Sequence, residues 1–293
     1  MTPTNLIKIT AGFIFYCKII IRMYNIGVHF ALLVTNRELF LHALIQVSVK
    51  IGQFIKIEHY ILYMWMANEN IKHIIDEYIQ VRRKNRTEGE LYVSLALAIY
   101  SAGCTNTNRI VMEALENFQD NSGIAFSEND LSYLIEHKAE AIDYICDCQQ
   151  HPLLAEHWLY MTPAAISNVC VQLAKVKDGD KVYLPFLGLG GFADNLPTSC
   201  EIEGEEYDKS VWAIEKIREW SKDTDYSGLV CGDSYQRMTD SAYEGKYDAV
   251  IMAPPYGFNS ESKWGDDLAE ALDKCLQVLN DNGRIVMFGP EYF

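Results

Sequence analysis

The chain has little of what marks several common protein classes. Its eight cysteines, at 17, 104, 146, 148, 170, 200, 231 and 275, include no Cys-x-x-Cys pair, and Cys146-Asp147-Cys148 is too close for the usual zinc spacing. They read as reduced, buried thiols of a cytoplasmic protein, and no metal site is expected. Positive charge is scarce: 25 Lys and Arg stand against 40 Asp and Glu, a formal net charge of −15. That is the wrong balance for a chain that grips nucleic-acid phosphates with its own surface, unless a separate segment or subunit carries the basic face. Long apolar runs are also missing. Ile9–Cys17 and Ile26–Val34 are broken by Lys18, Arg22 and His29 and fall short of the roughly 20 apolar residues that a membrane span needs. No small-residue cleavage site follows a single apolar run, so a signal peptide fits no better.

What is present is globular. Over 293 residues the chain is 49% hydrophobic and 22% charged, enough for a sizeable core, and the length favours two domains. Charge is uneven. Residues 1–65 hold six Lys and Arg against two Glu, and all of the net negative charge lies beyond them. This apolar, basic leader lacks steady periodicity. Two readings of it stand: part of the protein, or translated sequence upstream of a true start at Met66, where "MANENIKHIIDEY" reads as an ordinary beginning.

From 66 to 150 the pattern is helical and suggests no chemistry. Ile71, Ile74, Ile75 and Ile79 recur at helical spacing, "ELYVSLALAIY" is apolar enough to be buried, and Ser127 with Asp130 suggests a capping box. From 151 to 293 helices alternate with short strands. "PAAISNVCVQLAKV" is expected to be a helix with Pro163 in its first turn, then come strands at "DKVYLPF" and "CEIEGEEY", the helix "DKSVWAIEKIREWSK", and strands at "SGLVCGD" and "YDAVIMAPPY". An amphipathic helix with Leu268, Leu272, Cys275, Leu276 and Leu279 on one face, ended by Gly283, precedes a fifth strand in "RIVMFGPEYF". The fold class is therefore α/β, a doubly wound parallel sheet preceded by a helical domain, with ligands expected at the carboxyl ends of the strands.

The residues with chemical potential cluster at those ends. In "LPFLGLGGF", Gly188 and Gly190 would let backbone approach a ligand, although a packing role explains a lone Gly-x-Gly as well. Glu206 ends the second strand, 22 residues after Leu184, the offset at which nucleoside-binding sheets hold ribose hydroxyls. Read alone it is equally a solvated charge beside Glu203 and Glu205. Asp233 ends the third strand, as an acceptor for an adenine amine or as a helix cap. "APPY", Ala253 to Tyr256, ends the fourth. Two prolines cannot continue a central ladder, so the chain must stop and present the Pro254 carbonyl and the Tyr256 ring at the ligand edge.

In this order the motifs resemble the S-adenosylmethionine-dependent adenine-N6 DNA methyltransferases, especially type I restriction modification subunits. "YMTP" (Tyr160 to Pro163) resembles their segment before the first strand and "LPFLGLG" their donor loop. "GEEY" carries the acid, "GDS" carries Asp233, and "APPYG" stands where they have Asn/Asp-Pro-Pro-Tyr/Phe. The resemblance covers about 151–293 and implies a Rossmann-like methyltransferase sheet, incomplete at its C-terminus because the family continues into a recognition region.

The resemblance also implies roles. S-adenosyl-L-methionine would be held by Tyr160, Thr162, Pro163, Leu184, Gly188, Gly190, Glu206 and Asp233, while Ala253, Pro254, Pro255 and Tyr256 would receive the target amine of a base taken out of the duplex. DNA would be reached through a separate or missing recognition region, with a specificity subunit or partner methyltransferase as the implied partner. Three positions depart from the pattern. Ala253 has no acceptor side chain, Leu184 replaces an acid, and Leu189 puts bulk where a small residue is usual. Pro197 and the short stretch from Gly190 to Cys200 leave room for at most a short first helix. Three alternatives remain beside catalysis on DNA adenine: a catalytically silent binding domain, cytosine-N4 or RNA methylation, and protein-glutamine methylation.

Overall fold

The computed structural model describes residues 67–83, 86–119, 127–147, 161–254 and 264–289, all within one compact unit, Trp65–Phe293. The expected leader, Met66, Tyr160, Pro255 and Tyr256 lie outside the described residues.

Helix α1 runs through 67–82 and buries Ile71, Ile75, Tyr78 and Ile79, with Ile74 half-buried beside them. Thr87 starts α2 (Glu88–Gly103) with a reciprocal box: its hydroxyl accepts the Glu90 N–H at 3.2 Å, and the Glu90 carboxylate accepts the Thr87 N–H at 2.8 Å. Asn108 caps α3 (Arg109–Ala114) through the Ile110 N–H at 2.9 Å. Ser127 supplies the N-cap half of its expected box to α4 (Glu128–Glu136), accepting the Asp130 N–H at 3.4 Å. Helix α5 (Lys138–Asp147) follows.

Beyond 161 the order is α6 (Ala164–Leu173), β1 (Lys181–Pro185), β2 (Glu201–Glu206), α7 (Lys209–Ser221), β3 (Leu229–Cys231), α8 (Ser234–Thr239), β4 (Tyr247–Met252), α9 (Trp264–Val278) and β5 (Leu279–Met287). The five strands form one sheet in the order β3-β2-β1-β4-β5, every pair parallel. This is the doubly wound α/β arrangement expected from the alternation. Successive residues of the central strand serve opposite faces. Val182 and Leu184 pack with α6 and the loop after β1, whereas Tyr183 packs with Tyr247, Met238 of α8 and Cys275 of α9.

Helix α7 is covered on both sides. It touches β2 and β3, while Val211, Trp212, Ala213, Ile214 and Ile217 join the apolar core of α1, α2 and α5. A helix so enclosed buries its polar residues too, and Glu215, Arg218 and Glu219 are each at most 5% exposed. Such groups need partners at hand.

Three local expectations are corrected. Pro163 is the N-cap of α6, one residue before the first turn. Leu276 is 53% exposed, and the described buried face of α9 is Ala271, Cys275 and Val278. Gly283 does not end that helix, which stops at Val278; Gly283 lies in β5 where the register with β4 slips from Tyr247↔Leu279 to Ala249↔Arg284. Glycine is required there for space: a Cβ would sit 2.9 Å from the Leu279 Cβ.

Candidate active site

The ends of β1, β2, β3 and β4 meet at one edge. After Pro185 the chain turns sharply, with Phe186 at φ 55° and Gly188 and Gly190 at 56° and 73°. A non-glycine residue in the left-handed region is uncommon, and the strain is held by neighbours. The Phe186 N–H donates to the Ser234 Oγ at 3.0 Å, and the Leu187 N–H to the Glu205 carbonyl at 2.9 Å. A short 3-10 turn, Ala193–Asn195, is the helical structure between β1 and β2, matching the expectation of at most a short first helix.

Glu206 closes over this loop. One carboxylate oxygen accepts the Gly188 N–H at 2.8 Å and the other the Asp208 N–H at 2.8 Å. A carboxylate at the end of a strand, beside a turn where backbone can come close, is the kind of acceptor that a diol needs. Tyr207 follows, 81% exposed, a flat apolar face beside the acid. Sequence reasoning passed over Tyr207; an aromatic directly after the strand-ending acid was the available signal.

Asp233 caps α8, its side chain accepting the Tyr235 N–H at 2.9 Å. Thr162 lies against the loop from the other side: a Cβ on Gly191 would fall 3.1 Å from the Thr162 carbonyl oxygen. Pro163 is exposed next to it. The Leu184 side chain is buried in the apolar cluster of β1 and β4, so only its main chain is turned toward the sheet edge. Leu189, the other departure, is buried among the helices that enclose α7.

At β4 the ladder runs to Met252, whose carbonyl accepts the Phe288 N–H at 2.9 Å, and the prolines follow. Pro254 is buried. Ala253 is half-buried, on the same face as Ala249 and Ile251 and against the cluster that holds Leu187 and Phe192. It therefore sits on the glycine-loop side of the sheet and offers only a methyl group.

The opposite face carries a dense polar network. Tyr183 donates to Glu205 at 2.8 Å, Tyr247 donates to Glu203 at 2.6 Å, and the two rings stack with centroids 4.9 Å apart. Arg237 pairs with both Glu203 and Glu205, and Lys246 with Glu203 at 2.7 Å. Burial pushes the Glu205 carboxyl up to about 6, against the pull of Tyr183 and Arg237. Under the loop, Glu215 is buried with its Cγ 3.0 Å from where a Gly190 Cβ would be. Burial first, then Glu219, raises its carboxyl well above the usual range.

Among the described residues no helix is long and apolar enough to cross a membrane, and no group of three His, Cys, Asp or Glu is placed to hold a metal.

No family model matches the chain. A tRNA (guanine(10)-N2)-dimethyltransferase of Methanocaldococcus jannaschii is 26% identical over 132 residues, 43% of this chain and 37% of that protein. The chain thus spans little more than a third of the curated relative's length. A Listeria monocytogenes protein described as a class I S-adenosylmethionine-dependent methyltransferase has a similar structure, with a TM-score of 0.48 and 9% identity, covering 77% of this chain and 74% of that one. The type I restriction-modification methyltransferase subunit of Streptococcus thermophilus is similar at a TM-score of 0.39 and 16% identity, over 60% of this chain and 42% of that one. The fold assignment itself rests on strand order and register.

Proposed function

We propose that the chain binds S-adenosylmethionine and carries a methyl group to the exocyclic amine of a nucleic-acid base, adenine N6 in DNA by the order of its motifs. The observation that carries this reading is the bond between the Glu206 carboxylate at the end of β2 and the Gly188 N–H of the loop at the end of β1. It joins an acceptor suited to a ribose diol to a turn where backbone can approach a ligand. The Glu206 carboxylate fits the two ribose hydroxyls as their acceptor, the Tyr207 face fits an adenine ring, and Thr162 over Gly191 fits the closing of the loop around the amino-acid end.

Bound S-adenosylmethionine would supply a methyl group on a sulfonium, which an amine nitrogen takes as the C–S bonding pair goes to sulfur, the methylated nitrogen then giving up one proton to solvent. The residues of this chain act on the amine. A base amine is a weak nucleophile because its lone pair is delocalised into the ring. The Pro254 carbonyl accepts one of its hydrogens, raises electron density on nitrogen and holds the amine in line. In this family the residue at the Ala253 position accepts the second hydrogen, and here that acceptor is missing. With a net charge of −15, the nucleic acid calls for cations from a partner, such as a specificity subunit or a second methyltransferase.

An RNA base amine is the second reading, favoured by the tRNA-modifying relative. Guanine N2 and adenine N6 are both planar conjugated amines, so the same lip would serve either. Calorimetry on the full chain tests the first step, and no heat at millimolar donor sinks the proposal. Transfer of a radiolabelled methyl group to DNA, RNA and protein pools tests the rest. Label on adenine N6 of DNA supports the first reading, label on RNA the second, and label on protein alone overturns both.

A further inference from the structure

Helix α7 holds a guanidinium directly under the donor loop. Arg218 is 3% exposed, one Nη donates to the Leu189 carbonyl, and the other pairs with Asp194 of the 3-10 turn and, at 3.4 Å, with Asp143 of α5. Lys222 binds the same two carboxylates, at 2.8 Å from Asp194 and 3.0 Å from Asp143. The Arg218 Nη on Leu189 lies 3.6 Å from where a Gly190 Cβ would be. On the other side of the loop, the Ser167 hydroxyl donates to the Gly191 carbonyl at 2.8 Å.

The loop is followed by one 3-10 turn, Ala193–Asn195, and so lacks the support that a full helix there would supply. One 3-10 turn cannot bury an apolar face or aim a row of N–H groups. A buried cation bonded to a loop carbonyl and to a loop carboxylate supplies support instead, because releasing the loop would strip the buried charge of both and leave it with Asp143 at 3.4 Å. Asp143 carries the same cation into the helical layer.

We infer that Arg218 is a positioning residue for the glycine loop and that Asp143 makes helix α5 a brace of the donor site. This rests on the donor reading above, and it gives the helical segment before residue 150 a function: it sets how tightly the loop is held. A change at α5, remote in sequence from the loop, is then felt as a change in donor affinity.

Hydrogen exchange on the full chain, without ligand, reads the loop directly, since the Gly188, Gly190 and Ala193 amides are all hydrogen-bonded. In R218M these amides should exchange about tenfold faster, the loss of one hydrogen bond to a charged donor, while amides of β1 and β4 keep their rates. R218K should fall between R218M and the parent, because an ammonium can still reach one oxygen. D143N should loosen the loop by about threefold, the effect of one partly exposed ion pair. Donor affinity by calorimetry should fall in the same order. Unchanged loop exchange in R218M, or a rise shared equally by β1 and β4, overturns the inference. Should R218M fail to fold, D143N and D194N carry the test, and loop rates equal to the parent in both overturn it. A loosened loop in a chain that binds no donor in any form sinks the methyltransferase reading and leaves the brace standing.

Discussion

At the ends of β1 and β2 the ligand edge is held by main chain and charge: Glu206 grips Gly188, Phe186 is tied to Ser234, and Arg218 supports Leu189 from below. At the end of β4 the described residues hold it by one main-chain bond, Phe288 N–H to the Met252 carbonyl, and by packing of a half-buried Ala253 and a buried Pro254. On the proposed function the first half fixes the donor, whereas the second offers the amine one carbonyl where two acceptors would serve the chemistry. Binding and turnover are thus separable, and each half can be broken without the other.

The largest effect is expected at Ala253. Ala253→Asn adds a neutral acceptor on the glycine-loop side of β4, and by comparison with oxyanion-hole deletions such a group is worth about 3 kcal/mol, or about a hundredfold in turnover. Steady-state methylation of DNA and RNA should show kcat rising while donor affinity stays the same. An unchanged kcat favours a chain whose role is binding.

Glu206→Gln tests the other half. The amide oxygen can still accept the Gly188 N–H, but its NH2 then faces the Asp208 N–H in place of an acceptor, and the charge that strengthens the diol bonds is lost. Donor affinity should drop about thirtyfold, within the range for a hydrogen bond to a charged group, and kcat at saturating donor should change little. Donor binding equal to the parent would remove Glu206 from the site.

The halves also differ in how far they could be read in advance. The parallel, doubly wound class of the sheet, the short turn after the glycine loop, and the placing of Glu206, Asp233 and Ala253 at strand ends were legible, because each depends on local pattern and on the alternation of strands with helices. Asp233 shows the limit of such reading: its placement is as expected, yet one of its oxygens is spent on capping α8. Arg218 was not legible. Its partners Leu189 and Asp143 lie 29 and 75 residues away, and nothing in a helical pattern distinguishes a buried guanidinium from a solvated one. Gly283 failed for a related reason, since it lies where β5 slips its register on β4 rather than where a helix ends; Leu276 lies inside α9, and nothing in the structure explains its exposure.

The polar face of the sheet offers a smaller effect that separates stability from ligand binding. Glu205 is 3% exposed and its folded carboxyl sits at about 6, above its ordinary value of 4.5. A raised folded value means that protonation stabilises the fold. The contribution, about 2 kcal/mol, is fully present below pH 4.5 and is lost as pH rises through about 6. Glu205→Gln is neutral throughout and keeps Arg237 paired with Glu203. Denaturant unfolding between pH 4.5 and 7 should therefore show a shallower pH dependence in the variant, and an unchanged slope would assign the titration elsewhere.

The smallest effect asks whether the helical layer acts on the donor edge in general or only through Asp143. Thr87→Ala removes the reciprocal box of α2 and should cost about 1 kcal/mol. Helix α2 shares its core with α7, so the loss should appear in the single unfolding transition of the whole unit rather than as separate melting of the helices. Thr87 touches neither the loop nor Arg218, so calorimetry should find donor affinity within error of the parent. A weakened donor in Thr87→Ala would mean that any loosening of the helices reaches the loop. The brace would then belong to the whole apolar core and not to one ion pair.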